Sequence, residues 1–343
     1  MNATILPNSE KHYPVLLDEI LSIISPQNGG TFIDCTFGQG GYSKAFLKFS
    51  KANVIALDRD PDCRAIAQKI KLSNKDRFKF FHKKFSNIDQ IKRESNNINA
   101  IIFDLGYSYS QIKDPNKGLS FESKGNLNMK LGLNCFSANE VINKLSQEDL
   151  ELIFKYFGED KDSRIISKKI VQKRVKTNLN TENLVGIINS VKNKNKNKSK
   201  KIHNATKIFQ AIRIFVNKEI SELVYGLINS TKILDVDGIL LAVSFHSLED
   251  KIIKYFFKSL SEDKKISRYY PEETNQNKLF KLTSKKPITP SLKEISINKP
   301  SRSAKLRYAI KKKNIINFEE DFIKKFSNLL EIENLSNKLW KVL

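Results

Sequence analysis

The chain has 343 residues, 40% of them hydrophobic, and a formal net charge of +23 at pH 7. It is long enough for one large domain or a core with an insertion, and its positive excess points to a polyanionic partner, although Lys, Asn and Ile abound throughout as a coding bias would produce. Cys35, Cys63 and Cys135 are odd in number and far apart, which excludes a disulfide framework or structural zinc, and the lack of both an apolar run of ~18 residues and a basic n-region with an apolar core reads as a soluble, cytosolic chain without membrane partners.

Along the chain, Leu16, Ile20, Ile23 and Ile24 recur at helical spacing and predict a short helix ahead of the first strand. Strands and helices then alternate: strand 31–34, helix 43–49, strand 53–58, helix 61–72 with Pro61 in its first turn, then strands 78–82 and 98–104. This alternation predicts a parallel, doubly wound α/β sheet. After Asp104 only helix signals follow, from about 114 to 206. Ser137 with Glu140 forms a capping box, Ser146 with Asp149 a near equivalent, and residues 150–157 carry an amphipathic run.

The helical stretch ends in KNKNKNKSKK, residues 192–201, too charged to pack. It reads equally as a hydrophilic linker and as an arm that contacts phosphates. A long helix over 207–232 leads to strand 239–244, which runs straight into FHSLED, and PSRSAKLRYAI predicts a closing strand within a basic tail. The expected organisation is a first core part, 1–113, a helical insertion, 114–206, and a second core part, 207–343.

The densest chemistry lies in TFIDCTFGQGGYS, residues 31–43, where an apolar run meets an acidic residue and then Gly38, Gly40 and Gly41. Strand, glycine turn and helix start let backbone approach a ligand and present free N–H groups to it. Asp58 closes the next apolar run at about the ~20-residue offset where a carboxylate meets ribose hydroxyls. Ser43 stands where a dinucleotide fingerprint wants Gly or Ala, and no Gly-Lys-Ser/Thr follows, so NAD and ATP fit less well than S-adenosylmethionine. Asp34, inside the strand end, would repel a pyrophosphate and accept from an ammonium. Asp34, Asp58, Asp104 and His246 each end a strand and are expected to converge at the carboxyl edge of the sheet.

Nine blocks in one order, HYPVLLDEIL, DCTFGQGGYS, ALDRDP, FDLGYSYSQI, GLSF, NMK, KIHNATKIFQAIRIFVNKE, SFHSLEDKIIKYFF and PSRSAKLR, resemble the bacterial 16S rRNA cytosine-N4 methyltransferases, the RsmH or MraW family. The resemblance implies a Rossmann-like methyltransferase core with an inserted helical domain. It also implies S-adenosylmethionine as donor, and methylation of the exocyclic N4 of a cytidine in the decoding centre of small-subunit 16S rRNA. Its cofactor contacts carry over to Gly40, Gly41, Tyr42, Asp58, Phe85, Asp104 and Gln111. Tyr42 stands where the family usually has His, Tyr109-Ser110 replaces Ser-Pro, NLNMKL replaces a PLDMRM-like stretch, and Asn204 replaces Pro.

A cytosine amine is a poor nucleophile, so an enzyme must align it with the methyl carbon and accept from its N–H groups. Asp104 and Ser108, in DLGYSYS, sit where amine methyltransferases keep that acceptor loop, while Asp104 reads equally as a cofactor contact or turn cap. Tyr107 and Tyr109 read either as platforms for an extruded base or as core aromatics. SFHSLED reads as a helix start with Ser247 as cap and Asp250 at its third position. His12, His82 and His203 show no metal-ligand spacing. Lys201, His203, Lys207 and Arg213, with Arg302, Lys305 and Arg307, are the candidate RNA contacts. Two alternatives remain open: methyl transfer to another nucleic acid, and a silent RNA-binding assembly factor on the same fold. The sequence also leaves open whether the protein is a homodimer.

Overall fold

The computed structural model describes residues 13–94, 97–122, 127–192, 203–261, 278–314 and 317–340. The described residues form two compact units, those within 1–108 and 227–317 and those within 109–226 and 318–340.

The first unit is built on a seven-stranded sheet. Its strands are β1 (Gly30–Asp34), β2 (Ala52–Asp58), β3 (Phe78–His82), β4 (Ala100–Asp104), β5 (Ile239–Ser244), β6 (Phe280–Leu282) and β7 (Lys305–Lys311), in the order β3-β2-β1-β4-β5-β7-β6. β1 to β5 pair in parallel, and β7 lies antiparallel between β5 and β6. The near-continuous burial of β1, β2, β4 and β5 follows from their apolar runs, as expected of parallel strands covered on both faces. Helices α1 (Leu17–Ile24), α2 (Gly41–Leu47) and α3 (Cys63–Ser73) lie in the amino-terminal half. Phe32, Phe46, Val54, Phe78 and Leu241 belong to one buried cluster with Leu16 and Ile20. The chain order reverses between β1 and β4, which opens a crevice at their carboxyl ends.

The second unit is helical: α4 (Tyr109–Lys113), α5 (Ala138–Lys144), α6 (Gln147–Tyr156), α7 (Ser163–Arg174), α8 (Thr181–Lys192) and α9 (Thr206–Asn217). Ser137 and Glu140 make the reciprocal capping box read from the sequence, and the Ser146 side chain accepts from the Asp149 N–H. The lysine block of 192–201 lies outside the described residues except for Lys192, which ends α8 and is paired with Asp160.

One expectation is corrected. The helix expected over 207–232 is two, α9 and α10 (Glu219–Ile233), separated by Lys218 at φ 50°. The break is held by Asn217, whose side-chain N–H groups donate to the Met129 and Arg213 carbonyls while its oxygen accepts from Leu131 N. The compact units divide the chain at 108/109 and inside α10, and α9 buries Ile208, Ile212 and Phe215 and packs on α5 and α6.

The carboxyl-terminal helices α13 (Glu319–Lys325), α14 (Ser327–Asn334) and α15 (Asn337–Trp340) also belong to the helical unit, not to the sheet. Helices α11 (Ser247–Ser261) and α12 (Leu292–Ile297) precede them in the first unit. Glu333, on α14, is 1% exposed and accepts from the Ile220 and Ser221 N–H groups at 2.7 and 2.9 Å, capping the first turn of α10. Lys338 adds an ion pair to Asp149 at 2.7 Å.

Candidate active site at the carboxyl edge of the sheet

Strand register alone brings three carboxylates together. Asp34 pairs with Ala56 on β2 and Ile102 on β4. Asp58 and Asp104 lie two residues beyond those partners, so they share its face and stand about 7 Å further along the strands. The convergence expected of the strand-end residues is therefore built into the sheet, with His246 following β5 at the same edge.

The glycine turn between β1 and α2 is fastened to these acids. Gly38 N donates to Asp58 Oδ2 at 2.7 Å, Asp60 N donates to Asp58 Oδ1 at 2.8 Å, and Asp104 N donates to Thr36 Oγ1 at 2.8 Å. Gly38 and Gly40 have φ of 51° and 74°, and Gly40 N closes the turn on Phe37 O at 2.7 Å. Outside its chain neighbours, a Cβ at Gly38 would meet nothing nearer than Thr36 O at 3.9 Å, so the turn leaves open space on that side. At Gly41 the reason for glycine is packing, since a Cβ there would come 2.4 Å from Pro14 Cγ.

Asp34 differs from its expected role as an ammonium acceptor. It is fully buried, with Ser43 Oγ donating to one oxygen at 2.7 Å and Thr36 N to the other at 3.3 Å. It braces the turn from beneath. Burial pushes its carboxyl up to about 6, against the hydrogen bonds from Ser43 and Thr36. Burial likewise raises Asp58. Asp104 is pushed up to about 8, first by burial and then by the negative charges of Asp34 and Glu249, and its Oδ1 is a buried oxygen without a hydrogen-bond partner among the described residues.

Tyr42 is 3% exposed on the first turn of α2, donates its hydroxyl proton to Val15 O at 2.5 Å, and touches Asp104. Phe85 packs edge-on against Phe103 at 5.2 Å, and Ser108 is at the end of the first unit. Gln111 lies on α4 in the second unit. The side chain of Tyr109 lies outside the described residues.

The start of α11 corrects the expected cap. His246, not Ser247, precedes the helix, and its Nδ1 accepts from Glu249 N at 3.3 Å while Glu249 Oε2 accepts from Phe245 N and His246 N at 2.9 and 3.3 Å. The reciprocal pattern is that of a capping box with histidine in place of serine. Glu249 is 4% exposed and adds a fourth carboxylate at the strand ends. Only the H-x-x-E spacing in the sequence signalled it. Asp250 instead accepts from Lys305 Nζ at 3.0 Å and Arg307 Nε at 2.7 Å, tying α11 to β7.

Those two bonds place Lys305 and Arg307 among the structural ion pairs of the first unit, while Arg302 is exposed. In the second unit His203 stacks on Phe121 at 4.3 Å, Lys207 Nζ donates to Glu159 O at 2.9 Å, and Arg213 pairs with Glu219 at 3.3 Å. Lys201 lies outside the described residues.

An open, mostly parallel sheet whose switch point carries a glycine turn, a helix start and acids on adjoining strands defines an α/β enzyme that binds a nucleoside-type cofactor. The residues suit S-adenosylmethionine in particular. The open space at Gly38 admits a ligand against backbone, Asp58 offers lone pairs to hydroxyls, and the unpartnered Asp104 oxygen sits in a cluster of acids suited to a cationic ligand.

Residues 9–312 match the model of the MraW methylase family. The chain belongs to that family, and it is an S-adenosylmethionine-dependent methyltransferase. It is 44% identical over 307 residues to the Rickettsia bellii protein named Ribosomal RNA small subunit methyltransferase H, covering 88% of this chain and 99% of that one. Proteins of the same name from Ehrlichia ruminantium and Anaplasma phagocytophilum are 40% and 38% identical over 305 and 309 residues, each covering 88% of this chain and 99% of the relative. Among the described residues, no helix is long and apolar enough to cross a membrane.

Proposed function

We propose that the protein methylates the exocyclic N4 of a cytidine in the decoding centre of 16S rRNA, acting on the small ribosomal subunit. The observation that carries this reading is the unpartnered Asp104 oxygen at the end of β4, in a family whose relatives are named for small-subunit rRNA. S-adenosylmethionine, when bound, supplies a methyl group on a positively charged sulfur.

In this reading Gly40, Gly41 and Tyr42 form the wall of the cofactor site, Asp58 accepts from ribose hydroxyls, Phe85 lies beside it, and Gln111 is a further candidate cofactor contact by family resemblance. Asp104 and Ser108 accept from the N–H groups of the target amine and so orient its nitrogen lone pair toward the methyl carbon. Alignment of this kind supplies much of the rate enhancement, and an acceptor placed where positive charge develops supplies more. Tyr107 is the candidate platform on which the extruded base stacks.

The candidate contacts to the RNA backbone are Lys201, His203, Lys207, Arg213, Arg302, Lys305 and Arg307. Arg302, exposed, is the best suited of the latter three, because Arg307 and Lys305 already serve Asp250.

The test offers purified protein and methyl-labelled S-adenosylmethionine four acceptors: unmodified small subunits, naked 16S rRNA, large-subunit rRNA and duplex DNA. Label on the small subunit or its rRNA alone supports the reading. Label on DNA or other RNA moves the substrate, and donor binding without transfer to any acceptor identifies a silent RNA-binding assembly factor instead.

A further inference from the structure

The two helices that follow β1 and β2 are free of acids. Residues 41–57, which contain α2, hold Lys44, Lys48 and Lys51 but no Asp or Glu. Residues 63–75, which contain α3, hold Arg64, Lys69, Lys71 and Lys75 and again no Asp or Glu. The sheet unit is not built this way elsewhere, since α1, α11 and α12 each place acids in their first turn. A coding bias toward lysine raises the charge everywhere, but it does not clear the acids from one pair of neighbouring helices.

Between α2 and α3 runs a groove of about 570 Å³. Ile66, Lys69, Ile70 and Ser73 recur at helical spacing and line it from one face of α3, while Lys44, Leu47 and Lys48 line it from α2. Its floor is apolar, because Leu47 and Ile70 belong to the buried cluster of the sheet unit and Ile66 packs against that cluster. Its walls are cationic. Lys44 Nζ donates to Gln39 O at 2.8 Å, whereas Lys48 and Lys69 are exposed and have no hydrogen-bond or ionic partner for their ammonium groups among the described residues.

The groove starts at the cofactor turn. Both helices follow parallel strands, so each begins at the carboxyl edge of the sheet and runs back toward the amino edge. Gln39, inside the glycine turn, lines one end, and Ile70 is near enough to Gly40 that a Cβ on that glycine would come within 2.9 Å of it. Ser73 and Asn74 line the other end. From Ile66 to Ser73 the helix rises roughly 10 Å.

We propose that this groove docks the sugar–phosphate backbone of the RNA that flanks the target nucleotide, with phosphates at Lys48 and Lys69 and ribose faces over Ile66 and Ile70. Unpaired ammonium groups on an acid-free surface favour a polyanion, because each one that neutralises a phosphate releases condensed counterions. The apolar floor suits the carbon faces of the sugars between those phosphates. The inference rests on small-subunit rRNA as the substrate, and it adds a surface separate from the cations of 201–213 and 302–307.

The double variant Lys48→Gln with Lys69→Gln removes the two unpaired charges and keeps Lys44, which is bonded to the turn. Lys254→Gln with Lys293→Gln removes the same charge from α11 and α12 and serves as the reference. Affinity for unmodified small subunits and for naked 16S rRNA is measured across a salt series, with methylation kinetics and calorimetric donor binding in parallel. The groove variant should lower the slope of log affinity against log salt by about 1.4–1.8 on both acceptors, at 0.7–0.9 for each phosphate, and weaken binding about tenfold near physiological salt. KM for the RNA should rise by a similar factor while kcat and donor affinity stay unchanged, as loss of contacts made equally before and during methyl transfer requires. An unchanged slope in the groove variant, or an equal loss in the reference, would overturn the groove assignment and leave the rRNA methyltransferase reading standing. Weakened binding to small subunits but not to naked rRNA would give the groove to an acidic protein surface and overturn the RNA assignment. If the intact protein neither binds nor methylates either acceptor, the substrate reading fails and the inference fails with it.

Discussion

The two positive-φ glycines of the turn after β1 are predicted to fail in different ways when each is replaced by alanine. At Gly40 a Cβ would stand 2.9 Å from both Ile70 Cδ1 and Phe37 Cε2, in a residue at φ 74°. The left-handed conformation costs an alanine roughly 1–2 kcal/mol and overpacking adds roughly 1–3, offset by up to about 1 from the stiffer unfolded chain, so Gly40→Ala should lose about 2–4 kcal/mol. At Gly38 the same conformational cost applies, but the nearest atom is Thr36 O at 3.9 Å. The net loss of stability there should be about 1 kcal/mol or less. The methyl group of Gly38→Ala would instead occupy the open space of the turn on the Cβ side, and affinity for S-adenosylmethionine should fall at least about tenfold, or about 1.4 kcal/mol. Urea unfolding and calorimetric titration of both variants separate the effects. A Gly38→Ala protein that binds the donor as tightly as the wild type would refute the assignment of this turn to the cofactor.

Three further predictions concern the scaffold and the RNA. Burial raises the Glu333 carboxyl from 4.5 to about 7 despite its hydrogen bonds from Ser221 and Ile220. The folded state thus holds a proton that the unfolded state has lost between these values, so stability is highest below about pH 4.5 with respect to this group and declines as pH rises through about 7. The decline should be of order 3 kcal/mol and should flatten in Glu333→Gln, measured by urea unfolding across pH. Asp250→Asn removes the charge partner of Arg307 and Lys305 and should cost roughly 1.5–3 kcal/mol in the same unfolding assay, toward the lower figure because Lys305 is 41% exposed. Replacing the lysines of 192–201 by serine should lower the slope of log affinity for small-subunit rRNA against log salt by about 0.7–0.9 for each phosphate no longer neutralised, and an unchanged slope would make the segment a linker.

Much of the sheet was legible because buried parallel strands are short apolar runs, and here three of them end in aspartate. Register then brings Asp34, Asp58 and Asp104 together without any further information. The role of Asp34 was not legible, because only the three-dimensional turn shows Ser43 and Thr36 consuming both its oxygens. The cap of α11 was misread for a local reason: serine is the commoner cap, and histidine fills the position through Nδ1.

Long-range partners account for the remaining differences. Nothing local marks Lys218 as the break between α9 and α10, since the left-handed residue is held by Asn217 reaching Leu131 and Met129. Nor does the tail announce its place. Glu333 looks like any surface glutamate on a short helix until it is found capping Ile220, more than a hundred residues away. That tail also lies beyond residue 312, where the family match ends. It therefore had no motif from which to be read.

The most direct test of the central claim locates the methyl group at atomic level. Small subunits lacking their modifications would be treated with the protein and labelled S-adenosylmethionine, and their 16S rRNA digested and examined by mass spectrometry, with Asp104→Ala in parallel. The account predicts one labelled nucleoside, N4-methylated cytidine from the decoding centre, absent with the variant although the variant remains folded. Label on a ring carbon, a ribose oxygen or a nucleotide outside the decoding centre, or full activity in Asp104→Ala, would contradict it.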